Sequence, residues 1–332
     1  YPPIAPSAFT SDAGWGCMLR AGQTLLAQAL QMHHFGRDWA FDWDTDSAKQ
    51  AQYVDIVKQF FDDYAQASLF SIHRMASLGK QREGKDIGQW FGPFGTASII
   101  KELAASANHE LRIYTTTDGV VYLADLCHAD DFQPTLILAA SMLGTDRVNP
   151  IYYPFIQASL TLPQSAGIAG GRPNSALYFA GFQGDELVYL DPHYTRPAVP
   201  HHADDQYSKQ DLESYSCDTP RRIPVARIDP CMVFGFYCRS LEALIDLRTR
   251  IDMLTDEGMH TIVSFDNGFA PVVEFSPEPP SEDEAAREPS LLVKLPASDS
   301  EAEAEVDAGR SDASEIVLAG DSTSEDDWVT DL

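Results

Sequence analysis

The chain has 332 residues, five cysteines and a formal net charge of −27. That length allows one large domain or two ordinary ones around a substantial core. No run of about eighteen apolar residues occurs, so no membrane-spanning helix is expected, and acidic charge along the chain repels a phosphate backbone, so nucleic acid is not an expected partner.

The charge is uneven. Pro277 to Leu332 carries 17 acidic and 3 basic residues, against 33 and 20 in the preceding 276. The cysteines, at 17, 127, 217, 231 and 238, are odd in number, scattered and without a C-x-x-C pair. That pattern points to free thiols in a reducing compartment such as the cytoplasm. The first residue is Tyr1 and not methionine, so the chain reads as a fragment or processed form whose beginning lies upstream.

In chain order, "SDAGWGCMLRAGQ" comes first, with Ser11 and Asp12 as candidate caps. From Cys17 onward, Met18, Leu19, Leu25, Leu26, Ala29 and Leu30 have the spacing of a helix with one buried face. A second helical stretch is expected over about Asp46 to Leu78, then the glycine-rich "IGQWFGPFGTAS" and a helix over Ser98–Ala107. The β-branched or apolar runs "LRIYTTT", "VVYLADL", "TLILAAS", "ALYFAGFQGDELVYLDPH" and "MVFGFYC" follow. The fourth reads as a hairpin around Gln183-Gly184-Asp185. "SLEALIDLRTRIDML" is a late helix with Ser240 as cap. Helices first and a mostly antiparallel sheet second is an α+β order. Beyond about Phe275 proline, serine, alanine and acidic residues dominate, so 276–332 is expected to be a disordered acidic tail after a folded region over 1–275.

A cysteine nucleophile needs a base within hydrogen-bond reach and a group that orients the base. Cys17 opens a predicted helix, where a thiol sits near the positive end of the helix dipole. If "LVYLDPH" is extended, Asp191 and His193 project from one face and can supply the carboxylate and imidazole. Each has a plain structural alternative. A free cysteine packs as a small hydrophobe, and Asp-Pro-His ends a strand in a turn. Spacing alone leaves both open. The other histidines are weaker candidates, His33-His34 reading as the polar end of a helix. Cys231 and Cys238, seven apart and without a nearby histidine pair, do not make a zinc pattern. No metal or cofactor is expected.

Four blocks in order, "TSDAGWGCMLRAGQ", "IGQWFGPFGTAS", "GGRPNSALYFAGF" and "ELVYLDPHYTRPAV", closely resemble the autophagin family of cysteine peptidases. The resemblance runs from Tyr1 to about Leu254. It implies a papain-like fold with a small helical subdomain at about 42–78, and a triad of Cys17 as nucleophile, His193 as base and Asp191 as orienting carboxylate. It further implies that Trp90 covers the cleft and that Arg172, Pro173, Asn174 and Ser175 belong to a loop that moves aside for substrate, with Gly170 and Gly171 supplying permissive torsions for a hinge. The implied partner is an autophagy ubiquitin-like modifier, cut after its C-terminal glycine and also released from phosphatidylethanolamine, so membrane contact is transient and made through the lipidated substrate. An alternative from the same residues is a catalytically weak or inactive binding module for that modifier. The family's oxyanion tyrosine is expected upstream of Tyr1. In the tail, "SEDDWVTDL" approximates an acidic aromatic-x-x-aliphatic docking motif centred on Trp328, and "FAPV" (269–272) has the same spacing.

Overall fold

Helix α1 (Cys17–Phe35) carries its apolar face into the centre of the molecule, burying Leu19, Leu25, Leu26, Ala29 and Leu30. The computed structural model describes residues 1–42, 47–116, 118–127, 132–202, 206–217 and 219–271. The tail with Trp328, residues 43–46 of the expected helical subdomain and the last position of "FAPV" lie outside the described residues.

Two helices stand where one stretch was expected, α2 (Ser47–Lys58) and α3 (Ile72–Glu83). The break has a local cause: aspartate and serine side chains compete with helix for backbone groups. The Asp63 carboxylate accepts from Ala65 N–H at 2.9 Å, and Ser71 caps α3 by accepting from Arg74 N–H at 3.3 Å. Helix α4 (Pro93–Ser106) starts five residues before the expected Ser98, because Pro93, at the first turn, needs no hydrogen bond from its nitrogen.

The remaining elements are β1 (Arg112–Thr116), β2 (Val120–Tyr122), the single turn α5 (Leu123–Leu126), β3 (Thr135–Met142), α6 (Tyr153–Thr161), β4 (Ser165–Arg172), β5 (Ser175–Gln183), β6 (Glu186–Leu190), α7 (Lys209–Glu213), β7 (Arg221–Pro224), β8 (Cys231–Cys238), α8 (Leu241–Asp256) and β9 (Ser264–Asp266). Among the described residues seven strands form one sheet in the order β1-β3-β8-β4-β5-β6-β7, and β2 pairs with β9. Within the large sheet β1 and β3 are parallel, and every other pair is antiparallel. The hairpin between β5 and β6 closes through Gly184 and Asp185, with Gln183 opposite Glu186 and Gly184 at φ +56°. This is the α+β, papain-like arrangement.

Both sheet faces are covered, which is why the central strands read as unbroken apolar runs. Along β3, Leu136, Leu138 and Ala140 point to the side of α1, α3 and α4, while Ile137 and Ala139 point to α6 and α8. Along β8, Val233 and Tyr237 face α1, and Phe234, Phe236 and Cys238 face the other layer. Gly235 marks where α1 crosses closest: a Cβ there would lie 2.7 Å from Leu25 Cδ2. The helical region has its own small cluster, in which Tyr53, Val54, Val57 and Phe61 pack on Leu212 of α7. Through that cluster the chain following His193 is anchored to the helices that flank α1.

Candidate active site

The loop before α1 is built to deliver Cys17 at the helix tip. Gly14 turns the chain at φ +88°, and the amides of Trp15 and Gly16 both donate to Asp12 C=O, at 3.1 and 2.9 Å. Gly16 is the N-cap residue, and a Cβ on it would lie 2.5 Å from Asp12 Cβ. Asp12, expected as a cap, is instead one jaw of a clamp on Arg20. The guanidinium donates to both oxygens of Asp12 (2.9 and 3.0 Å) and both of Asp62 (2.8 and 3.1 Å). Burial alone would raise the Asp12 pKa, but the hydrogen bonds and charge of Arg20 outweigh it and hold the carboxyl below its ordinary range. Tyr1 Oη donates to the same carboxylate at 3.3 Å. Asp62 lies 42 positions from Arg20, and no sequence signal ties the two.

Cys17 is the first residue of α1, half-buried, with no side-chain cap and no acidic residue in the first turn. It therefore faces the positive end of a 19-residue helix. His193 is not on an extended strand. Strand β6 ends at Leu190, and Asp191-Pro192-His193 is a turn in which one carboxylate oxygen, Asp191 Oδ1, takes both His193 Nδ1 (2.6 Å) and the His193 backbone N–H (3.0 Å). The pairing expected from same-face projection is achieved through this turn, since proline fixes the torsion that folds the histidine back over the aspartate. With an ionised carboxylate as acceptor, the proton sits on Nδ1 and Nε2 is the lone-pair nitrogen.

A cavity of about 670 Å³ brings Cys17, His193, Trp90 and Asn174 together and continues along α1 past Arg20 and Gln28. A narrower one of about 110 Å³ shares Cys17, Trp90 and Asn174 and is closed by Gly171, Arg172 and Ser175. Trp90 is 47% exposed at the rim, and its indole N–H donates to Gly14 C=O in the loop leading to Cys17. Its neighbour Phe91 is buried against α3, where Gly79 leaves room for the ring: a Cβ there would be 2.2 Å from Phe91 Cε1.

Residues Arg172 to Ser175 form a two-residue hairpin turn between β4 and β5, with Arg172 opposite Ser175. Pro173 occupies the position where φ near −65° is required, and Asn174 takes the left-handed one at φ +63°. The special torsion expected of Gly170 and Gly171 is thus carried by Asn174. The two glycines sit in regular strand and serve close approach. A Cβ on Gly171 would be 2.3 Å from Ser175 C=O, and one on Gly170 would be 3.0 Å from Met232 Cβ. Pro173 lines neither cavity, and Asp191 stands behind His193 with its side chain 12% exposed.

Asp229, which carries no sequence signal, and Cys231, weighed above only as a zinc ligand, also line the narrow cavity. Asp229 N–H donates to Gly171 C=O at 2.8 Å, and its carboxylate accepts from Cys231 N–H at 2.8 Å. Burial, then the Asp229 charge, push the Cys231 thiol up to about 11, so at neutral pH it stays protonated and is no nucleophile. A catalytic arrangement in this cleft therefore has one candidate thiol at the helix tip, one imidazole oriented by a carboxylate, and a tryptophan over the entrance.

Residues 1–250 match the sequence profile of the Peptidase C54 catalytic domain. The chain is 42% identical over 257 residues to the probable cysteine protease atg4 of Aspergillus niger, covering 75% of this chain and 62% of that protein. It is 44% identical over 251 residues to the probable cysteine protease atg4 of Aspergillus clavatus, covering 73% and 61%. Cysteine protease 1 of Neurospora crassa is 41% identical over 237 residues, 69% of this chain and 46% of that protein. The chain thus spans about three fifths of the length of the first two relatives and less of the third.

Proposed function

This chain belongs to the peptidase C54 family of cysteine proteases, the autophagin family, and from that premise we propose that it cleaves after the C-terminal glycine of an autophagy ubiquitin-like modifier. One observation carries the proposal: Cys17 at the tip of α1 and His193, itself held by Asp191, line one cavity.

The geometry suits acyl transfer. Cys17 Sγ, its proton passed to His193 Nε2, attacks the glycine carbonyl carbon, and the C–S bond forms as the carbonyl oxygen takes the charge. The backbone N–H of Cys17, at the uncapped helix start, is the oxyanion donor. His193 returns the proton to the departing amine as the C–N bond breaks. It then takes a proton from water, which attacks the thioester and frees the glycine carboxylate and the thiol. Asp191 keeps Nδ1 protonated and stabilises the imidazolium. Trp90 on one side and the Gly171–Ser175 hairpin on the other leave a slot that rejects side chains, which selects glycine by exclusion.

The departing amine is the precursor's C-terminal extension in one reaction and phosphatidylethanolamine in the other, so the enzyme meets autophagic membranes transiently, through its lipidated substrate, from the cytoplasm. Arg172, Pro173, Asn174 and Ser175 border the bound segment, and Trp328 adds a second contact by strand addition on the modifier. The test is release of a C-terminal reporter from such a modifier by the parent chain and by Cys17→Ala and His193→Ala. Release by the parent and its loss in both variants, with folding intact, supports the reading. Equal release by Cys17→Ala overturns it, and binding without release by the parent favours the non-catalytic module.

A further inference from the structure

The far end of α1 holds a cluster that the chemistry of the cleft does not use. Rising about 1.5 Å per residue, α1 places His33 roughly 24 Å along its axis from Cys17. There His34 Nε2 lies 2.9 Å from Glu110 Oε1, and His33 Nε2 lies 3.7 Å from Glu110 Oε2. Two imidazoles present the same ring nitrogen to the two oxygens of one carboxylate, and the three ligand atoms fall within 4.8 Å of one another. We propose that His33, His34 and Glu110 form a binding site for a divalent transition-metal ion of the zinc type.

The cluster is close to the dimensions a metal requires. Zinc bonds of about 2.0–2.1 Å at tetrahedral angles hold ligand atoms about 3.4 Å apart. The His33–Glu110 separation of 3.7 Å is close to that value, and the His34 contact has to open by about half an ångström. The rear nitrogens are also engaged, as a second shell requires. His33 Nδ1 meets Tyr237 Oη of β8 at 2.7 Å, and His34 Nδ1 meets Gln52 Nε2 of α2 at 2.8 Å, so metal binding at His34 Nε2 requires the Gln52 amide to turn and present its oxygen to Nδ1–H. His109, next in sequence to Glu110, is not a ligand: its Nε2 is on Gln59 Oε1 at 3.1 Å and its Nδ1 accepts from Leu111 N–H at 3.1 Å.

Two imidazoles and one carboxylate suit zinc, copper or nickel better than calcium or magnesium, with water completing the shell. Arg239, whose guanidinium caps the carbonyls of Met32 and His33, adds a positive charge nearby and keeps the affinity modest. A bound ion ties the end of α1 to the segment before β1, with α2 and β8 behind it. Sequence spacing conceals the site because Glu110 is 76 positions from His34.

The experiment titrates Zn²⁺ by calorimetry into the full chain carrying Cys17→Ala, which removes the thiol of the cleft as a competitor. The same titration is run with Glu110→Gln or His34→Ala added, and Co²⁺ absorption spectra are recorded in parallel. Glu110→Gln keeps a hydrogen-bonding partner for His34 and so preserves the fold. The expected result is one equivalent of Zn²⁺, an affinity at least tenfold weaker in both added variants, a raised unfolding temperature on metal addition, and a Co²⁺ spectrum without a thiolate charge-transfer band. Unchanged affinity in both variants, a thiolate band, or no saturable binding overturns the proposal.

Discussion

Removing the Arg20 guanidinium should disable the loop that delivers Cys17. Arg20 is 21% exposed at the side chain, between carboxylates that are 20% and 16% exposed. Breaking a buried pair costs about 3–5 kcal/mol, and an exposed pair is worth about 0–1. This clamp is mostly buried and makes four charge-assisted bonds, so Arg20→Ala should lose about 2–4 kcal/mol at pH 7. Arg20→Lys should lose less, because the ammonium keeps the charge, yet it should still lose some, because it cannot bridge two carboxylates with a planar fork. The pH dependence has a sign that tests the cause. In the parent, Asp12 titrates below its ordinary range, so its contribution is present above about pH 4 and is lost as pH falls through the depressed value. In Arg20→Ala, Asp12 faces Asp62 without a cation between them and should titrate above that range. The variant should therefore recover stability relative to the parent between pH 7 and 5. Urea unfolding of both proteins across that range is the assay, with reporter release measured alongside. A shift of Asp12 moves Gly14, which holds Trp90, so kcat should fall about 10- to 100-fold. An Arg20→Ala protein within about 0.5 kcal/mol of the parent, or one whose pH profile runs parallel to it, would refute this account.

Three further outcomes are expected. Asp191→Asn should keep the fold and its unfolding temperature but lower kcat by about 10³–10⁴, because an amide favours the wrong imidazole tautomer; steady-state kinetics beside a thermal melt separates the two effects. Gly171→Ala sets a methyl 2.3 Å from Ser175 C=O and 2.8 Å from Ala176 Cα, both backbone atoms that cannot step aside. It should destabilise by about 1–3 kcal/mol and raise KM by distorting the hairpin at the slot, which denaturant unfolding and kinetics will read. Cys238, fully buried, is pushed up to about 12 by burial and then by the Asp246 charge. Above about pH 9 the unfolded thiol ionises while the native one stays protonated, so stability falls with rising pH, and Cys238→Ala should flatten that fall by up to about 1.4 kcal/mol per pH unit in alkaline unfolding curves.

What the sequence discloses here is what local rules govern. The period of Leu19, Leu26 and Leu30 predicts α1 and its buried face, and alternation around Gly184 predicts the β5–β6 hairpin. Local rules fail where a side chain has two uses. Asp12 reads as a cap and becomes a jaw on Arg20, because a charged partner one helical turn inside α1 outbids a free amide. Asp191 and His193 read as strand neighbours and meet in a turn, because Pro192 takes the chain out of the sheet. Gly170 and Gly171 read as torsional freedom and are spatial necessity, while Asn174 bears the left-handed torsion. Beyond these lie contacts that only the finished topology creates, Asp62 at Arg20 and Glu110 at His34, which periodicity cannot reveal.

The bond from the Trp90 indole to Gly14 C=O sets a resting population for the cleft entrance. Swinging the ring outward exchanges one protein hydrogen bond for water, a net of about 0.5–1.5 kcal/mol, which is a bias of roughly two- to thirteenfold toward the shut position. Thermal motion alone then opens the entrance for about one fourteenth to one third of the time. An arriving substrate segment need not force it, and the penalty on apparent affinity from waiting for the open form stays within about one order of magnitude. Because the acceptor belongs to the segment leading into Cys17, each opening also frees the backbone beside that residue, so access and the position of its sulfur fluctuate together.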